Sequence, residues 1–123
     1  MTPFTRKVIL IIQSIPEGSV MTYGGIARAA GSPRAARQVV RILHSMSRKY
    51  KLPWHRVINA KGMISLTEDE SASLQQLYLT GEGVIFDERG VVDLERYQYV
   101  PAPELEMDMY MELPPELGDE EDT

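Results

Sequence analysis

No cysteine occurs anywhere in the 123 residues of this chain. That absence excludes disulfides, thiolate metal sites and every reaction that runs through a sulfur nucleophile. Only two histidines are present, His44 and His55, neither beside a matching acidic cluster, so no metal centre is expected. Long apolar runs are missing too: the longest, Val8 to Ile12, falls far below the ~20 residues of a membrane span. No secretory signal pattern opens the chain, and the expectation is a soluble, cytoplasmic protein. Gly-rich phosphate loops and internal repeats are also absent, so no cofactor is expected.

Acid is scarce where it matters. The formal net charge of -5 averages two unlike regions. Residues 101–123 hold nine acidic side chains and no lysine or arginine, whereas residues 1–100 carry 13 basic against 9 acidic groups, a net +4. No Asp or Glu lies between Glu17 and Glu68, an interval that contains Arg28, Arg34, Arg37, Arg41, Arg48, Lys49, Lys51, Arg56 and Lys61. A solvated positive face is the plain alternative, but phosphate binding better explains so long a run with no acid.

The chain is long enough for one core, and its punctuation divides it readily. Thr2-Pro3 reads as a cap and first helical position for a helix over 3–15, which Pro16-Glu17-Gly18 stops. Thr22 caps a short helix, Tyr23 to Ala30, closed by Gly31. Ser32-Pro33 opens a third helix through about Met46, with Ala36, Val39, Val40, Ile42, Leu43 and Met46 as its apolar face. A longer helix followed by two closely linked ones reads as helix-turn-helix. Arg34, Gln38 and Arg41, flanked by Arg37, then lie along the outward face of the third helix.

Further on, a polar loop over 47–53 precedes a hairpin of strands 56–58 and 63–66, turning at Asn59-Ala60-Lys61-Gly62. Thr67-Glu68-Asp69-Glu70 reads as a capping box for a fourth helix anchored by Leu74, Leu77 and Tyr78. A second hairpin pairs 84–87 with 91–94. Pro101-Ala102-Pro103 ends the folded body, giving a domain over 1–101 and an acidic, disordered tail over 102–123.

Pro53-Trp54-His55-Arg56-Val57 resembles the Pro-Cys-His-Arg-Val active-site motif of O6-alkylguanine-DNA alkyltransferases, with Trp54 in place of the acceptor cysteine. This is the signature of alkyltransferase-like proteins. The resemblance spans about Thr2 to Pro101. It includes Ile15-Pro16-Glu17-Gly18, Thr22-Tyr23-Gly24, the segment from Gly31 to Val39, Gly62 to Ser65, and Glu82-Gly83-Val84.

The resemblance implies a mainly α fold with small β hairpins (α+β), a winged helix-turn-helix domain like the C-terminal domain of those alkyltransferases. In them a damaged base is flipped out of the duplex and a thiolate takes the alkyl group. An indole cannot, so recognition without chemistry is implied, with no catalytic residue. DNA contacts carried over are Thr22, Tyr23, Arg34, Ala36, Arg37, Gln38 and Arg41. Tyr23 would help rotate the nucleotide, and Arg37 would fill the gap it leaves. The lesion pocket would comprise Tyr23, Pro53, Trp54, His55, Arg56, Val57, Met63 and Ser65, with His55 and Arg56 chiefly structural and Asn59 tying the loop to the helix-turn-helix.

The implied partners are double-stranded DNA containing O6-alkylguanine and nucleotide excision repair proteins, met by a monomer. Two departures stand out: Val40 and Arg41 replace glycines common in relatives, and Thr67 stands where some have an arginine. The competing readings are a sequence-specific helix-turn-helix transcriptional regulator, which leaves Trp54-His55-Arg56 without a use, and a glycosylase relying on Asp69 or Glu70.

Overall fold

A computed structural model of the chain describes residues 1–64 and 69–101. Thr2 and Pro3 start the first helix as the sequence suggests. The Thr2 hydroxyl accepts from the Thr5 amide at 3.1 Å, and the proline occupies a position where an N–H would have no partner. Helix α1, Pro3–Ser14, buries Val8, Ile9, Ile11 and Ile12. Thr22 caps α2, Tyr23–Ala29, by accepting from the Gly25 amide at 2.9 Å. A Schellman turn closes α2: the Ser32 amide donates to the Ala27 carbonyl and the Gly31 amide to the Arg28 carbonyl, with Gly31 at φ +95°.

The third helix differs from expectation at both ends. Ser32 to Ala35 form a turn, closed by the Ala35 amide on the Ser32 carbonyl at 3.0 Å, and α3 is Ala36–Tyr50. Proline suits the second position of a four-residue turn as well as a helix start, so Ser32-Pro33 carried both meanings. At its far end α3 takes in 47–50, where Arg48 and Lys49 meet the negative end of the helix dipole. Lys51 stops it in the left-handed conformation, at φ 51°. Val39, Ile42 and Leu43 face the core, but Val40, expected beside them, is 45% exposed.

The sheet is not the expected hairpin. Strand β1, Met21–Thr22, pairs in parallel with β2, Val57–Ile58, in the register Met21↔Val57 and Thr22↔Ile58. Successive side chains of a strand point to opposite faces, and here the faces are two cores. Met21 and Val57 join the cluster built by α1, α2 and α3, whereas Val20 and Ile58 join a second one with Leu79, Val84, Val92 and Tyr97. A strand buried on both sides reads as continuous apolar sequence, which is what a parallel strand requires.

Of the first hairpin, a turn remains, with the Asn59 amide donating to the Met63 carbonyl at 3.1 Å. The second reduces to one antiparallel bridge, Phe86↔Val92, and Leu94–Tyr97 forms a short helix, α5, capped by Asp93. The proposed strand residues Ser65 and Leu66, Thr67 and Glu68 of the capping box, and the tail over 102–123 lie outside the described residues. Helix α4 is Asp69–Gly81. It is anchored by Leu79 and Gln75, both buried, while Leu74, Leu77 and Tyr78 are exposed. No helix of the described residues is long and apolar enough to cross a membrane.

Gly62, at φ +78°, sits so close to the second core that a Cβ would lie 2.5 Å from the Val92 carbonyl oxygen. Gly90 has a similar φ of +77° with open space around it. Gly90→Ala should therefore cost about 1 kcal/mol from backbone conformation alone. Gly62→Ala should cost on the order of 2–4 kcal/mol, since a backbone oxygen must also move. Denaturant unfolding of the two variants side by side measures the difference; equal losses would show that the close approach carries no energy.

Candidate nucleic-acid interface

Two surfaces meet near the ladder. The first is cationic. Of the nine basic residues in the acid-free interval, eight are exposed, and Arg56 is the exception. Arg37, Gln38 and Arg41 project from α3, Arg34 stands in the turn before it, and Arg28 lies on α2. Val40 is exposed between Arg37 and Arg41, placing an apolar side chain within the charged face. Tyr23, the first residue of α2, is half-buried against the first core. Ala36, the first residue of α3, is also half-buried.

Thr22 does not fit the contact role expected of it: it is 8% exposed and its hydroxyl is engaged in capping α2.

The second surface is the one-turn 3-10 helix Trp54–Arg56. Its position is dictated on both sides. Lys51 reverses the chain after α3, and β2 begins at the next residue after Arg56. Gln75 of α4, 2% exposed, fastens the turn by donating its amide to the His55 carbonyl at 3.1 Å and to the Val57 carbonyl at 2.9 Å. A buried glutamine with both donors used in this way is fully justified, which explains why it displaces an aliphatic residue on the inner face of α4.

Beneath the turn lies a charged cluster centred on Glu82. The His55 ring lies 2.7 Å from Glu82 Oε2 through Nε2, and the Arg56 guanidinium donates to the same carboxylate from Nε and NH2, the latter at 2.8 Å. Arg56 NH1 also donates to the Ile15 carbonyl at 2.9 Å, and the Gly18 amide donates to Glu82 Oε1 at 3.0 Å. Glu82 itself is set by a second Schellman turn, with the Val84 amide on the Leu79 carbonyl and Gly83 at φ +95°.

Burial would raise the Glu82 pKa, but hydrogen bonds from Arg56, Gly18 and His55 outweigh it and hold the carboxyl at about 2. An ionised carboxylate only accepts, so Nε2 of His55 carries the shared proton. Arg56 is thus engaged by Glu82 and the Ile15 carbonyl, and Glu82 and Gln75 are neighbours of the turn that periodicity did not single out. The helix-ending Glu82-Gly83 pair was their one visible signal.

Trp54 stands over this cluster. An open depression of about 620 Å³ is lined by Ser47, Arg48, Lys51, Leu52, Pro53, Trp54 and His55. Of the residues expected in a lesion pocket, Pro53, Trp54 and His55 line this depression and Tyr23, Arg56, Val57 and Met63 do not. Val57 is a core residue, 1% exposed, and Met63 lines a separate depression with Ile64, Ser73, Phe86 and Arg89. The parallel pairing of β2 is the reason, since it turns Val57 inward. Asn59 serves its own turn, its side chain accepting from the Lys61 and Met63 amides, instead of tying the loop to α2 and α3. Ser65 lies outside the described residues.

The model of the 6-O-methylguanine DNA methyltransferase DNA-binding domain matches residues 3–84. The chain belongs to this family. It is 47% identical over 96 residues to a DNA base-flipping protein of Escherichia coli, covering 78% of this chain and 74% of that one. It is 45% identical over 76 residues to alkyltransferase-like protein 1 of Schizosaccharomyces pombe, covering 62% and 69%. A crystal structure of the S. pombe protein in complex with damaged DNA containing O6-carboxymethylguanine superposes with a TM-score of 0.68 at 39% identity, covering 82% of this chain and 98% of that one. Within the methyltransferase family this chain sits with the base-flipping and alkyltransferase-like members, and with no cysteine it has no sulfur acceptor for an alkyl group.

Because the Glu82 pKa is depressed in the fold, the stability it contributes is complete above its ordinary value of 4.5 and is lost as pH falls from there towards 2. Denaturation between pH 6 and pH 3 should show the larger part of this loss, about 2 kcal/mol. In Glu82→Gln that part of the pH dependence should vanish; an unchanged profile would mean the carboxylate is not held as described.

Proposed function

We propose that this chain binds double-stranded DNA through the α2–α3 face, holds a flipped O6-alkylguanine against Trp54, and leaves the lesion unchanged. The observation that carries this reading is the pairing of a large aromatic face with an intact His55–Glu82–Arg56 cluster beneath it. A pocket needs only shape, stacking surface and hydrogen bonds to hold a base, and an indole supplies a broad face without a nucleophile. The names of its relatives, which speak of base flipping and of alkyltransferase likeness, support the same reading.

In this scheme Arg34, Gln38 and Arg41 contact phosphates, Tyr23 turns the nucleotide, and Arg37 fills the gap in the stack. Pro53 and His55 flank Trp54. Val40 sits where the helix approaches the groove. A protein that marks damage without removing it must hand it on, and nucleotide excision repair is the class of process that excises a lesion of any chemistry. We assign the chain to the cytoplasm as a monomer acting ahead of that step.

The decisive experiment is equilibrium binding to matched duplexes with O6-methylguanine or guanine at one position, at stated salt, followed by mass measurement of the protein. Tighter binding to the lesion with unchanged mass is expected. Equal affinity for both duplexes would overturn the reading in favour of a sequence-reading regulator. Arg37→Ala should weaken lesion binding by about 1–3 kcal/mol through lost stacking and hydrogen bonds. Trp54→Ala should reduce the preference for the lesion more than it reduces binding to undamaged DNA; if both variants bind as the parent does, the site lies elsewhere.

A further inference from the structure

Helix α4 places one aromatic ring where a surface helix would ordinarily carry a polar side chain. Tyr78 is 44% exposed, yet it does not lie loose on the surface. Its ring centroid is 6.0 Å from that of Trp54, at an interplanar angle of 68°, and 5.4 Å from that of His55, at 71°. Trp54 and His55 stand 6.1 Å apart at 86°. Three rings thus meet edge to face, the arrangement the aromatic quadrupole favours.

His55 is fixed by Glu82 and the backbone of the turn is fixed by Gln75. The indole of Trp54 meets the His55 ring edge-on and packs against the first core. Within the three-ring group, Tyr78 is the member that bears on the indole from a separate element.

The geometry points to Tyr78 as the positioning residue for Trp54, holding the indole in the orientation that discriminates an alkylated guanine from an ordinary one. The inference rests on the function proposed above and goes beyond it by naming the residue that sets selectivity from outside the Pro53–Val57 motif. Because Tyr78 is substantially exposed, truncating it leaves little cavity. Its effect on selectivity is therefore separable from any effect on stability.

Trp54 is the sole tryptophan of the chain, so its fluorescence reports the indole directly. In Tyr78→Ala of the full chain, steady-state anisotropy of Trp54 should fall, and the ratio of affinities for O6-methylguanine and guanine duplexes should drop about five- to tenfold. Affinity for the undamaged duplex should stay within about twofold. Tyr78→Phe, which keeps the ring, should restore both the anisotropy and the ratio, and Tyr78→Leu should not.

A parent protein that discriminates, together with a Tyr78→Ala variant that discriminates equally, would overturn the role of Tyr78 and leave the proposed function standing. A parent that does not discriminate would remove the proposed function. In that case, unchanged anisotropy in Tyr78→Ala would show that Tyr78 does not hold the indole either.

Discussion

Everything about this molecule hangs on a parallel ladder two residues long. Met21 and Val57 face one core and Val20 and Ile58 the other, so the ladder is the wall both cores are built against. It is also the only strand-to-strand register among the described residues that joins the start of α2 to the end of the Trp54 turn. Tyr23 follows Thr22 directly, and Arg56 precedes Val57 directly. A one-residue slip would exchange the faces and empty both clusters at once, so the register is strongly enforced in spite of its brevity.

From that wall the division of labour among charges follows. Eight of the nine cations in the acid-free interval remain at the surface, where a polyanion can meet them, and the ninth, Arg56, turns inward to serve Glu82. A buried ion pair is weak support for stability unless the remaining donors and acceptors are satisfied. Here they are: Arg56 also reaches the Ile15 carbonyl, and Glu82 also accepts from Gly18 and His55. Beneath Trp54 the cluster is therefore fully satisfied, and it ties the turn to the residues that follow α4.

Local signals in the sequence were read well and pairings were not. Thr2-Pro3, Thr22 and Gly31 each specify a helix end by a hydrogen bond within a few residues, and each stands where it was expected. Ser32-Pro33 misled because a turn and a helix start use the same two residues. The hairpin over 56–66 misled because its turn residues are present and form a turn, while the partner of β2 lies 36 positions earlier in the register. The motif around Trp54 coincides with the 3-10 turn that carries the ring group. Gln75 and Tyr78 reach that turn from α4 and Glu82 from the turn that ends it; periodicity read Tyr78 as a core anchor and does not distinguish an inward glutamine from an ordinary surface residue.

The Glu82 carboxylate has a kinetic meaning as well. It joins residues 18, 55 and 56 to position 82, and the bond from Gly18 spans 64 positions of the chain. Contacts this distant along the sequence form only after the intervening segments have ordered, because the entropy of closing so long a loop must be met first. The helix-turn-helix, made of contacts between neighbouring segments, has no such requirement. Closing the Glu82 cluster therefore costs more chain entropy than packing α2 against α3, so the cluster is the costlier of the two to assemble.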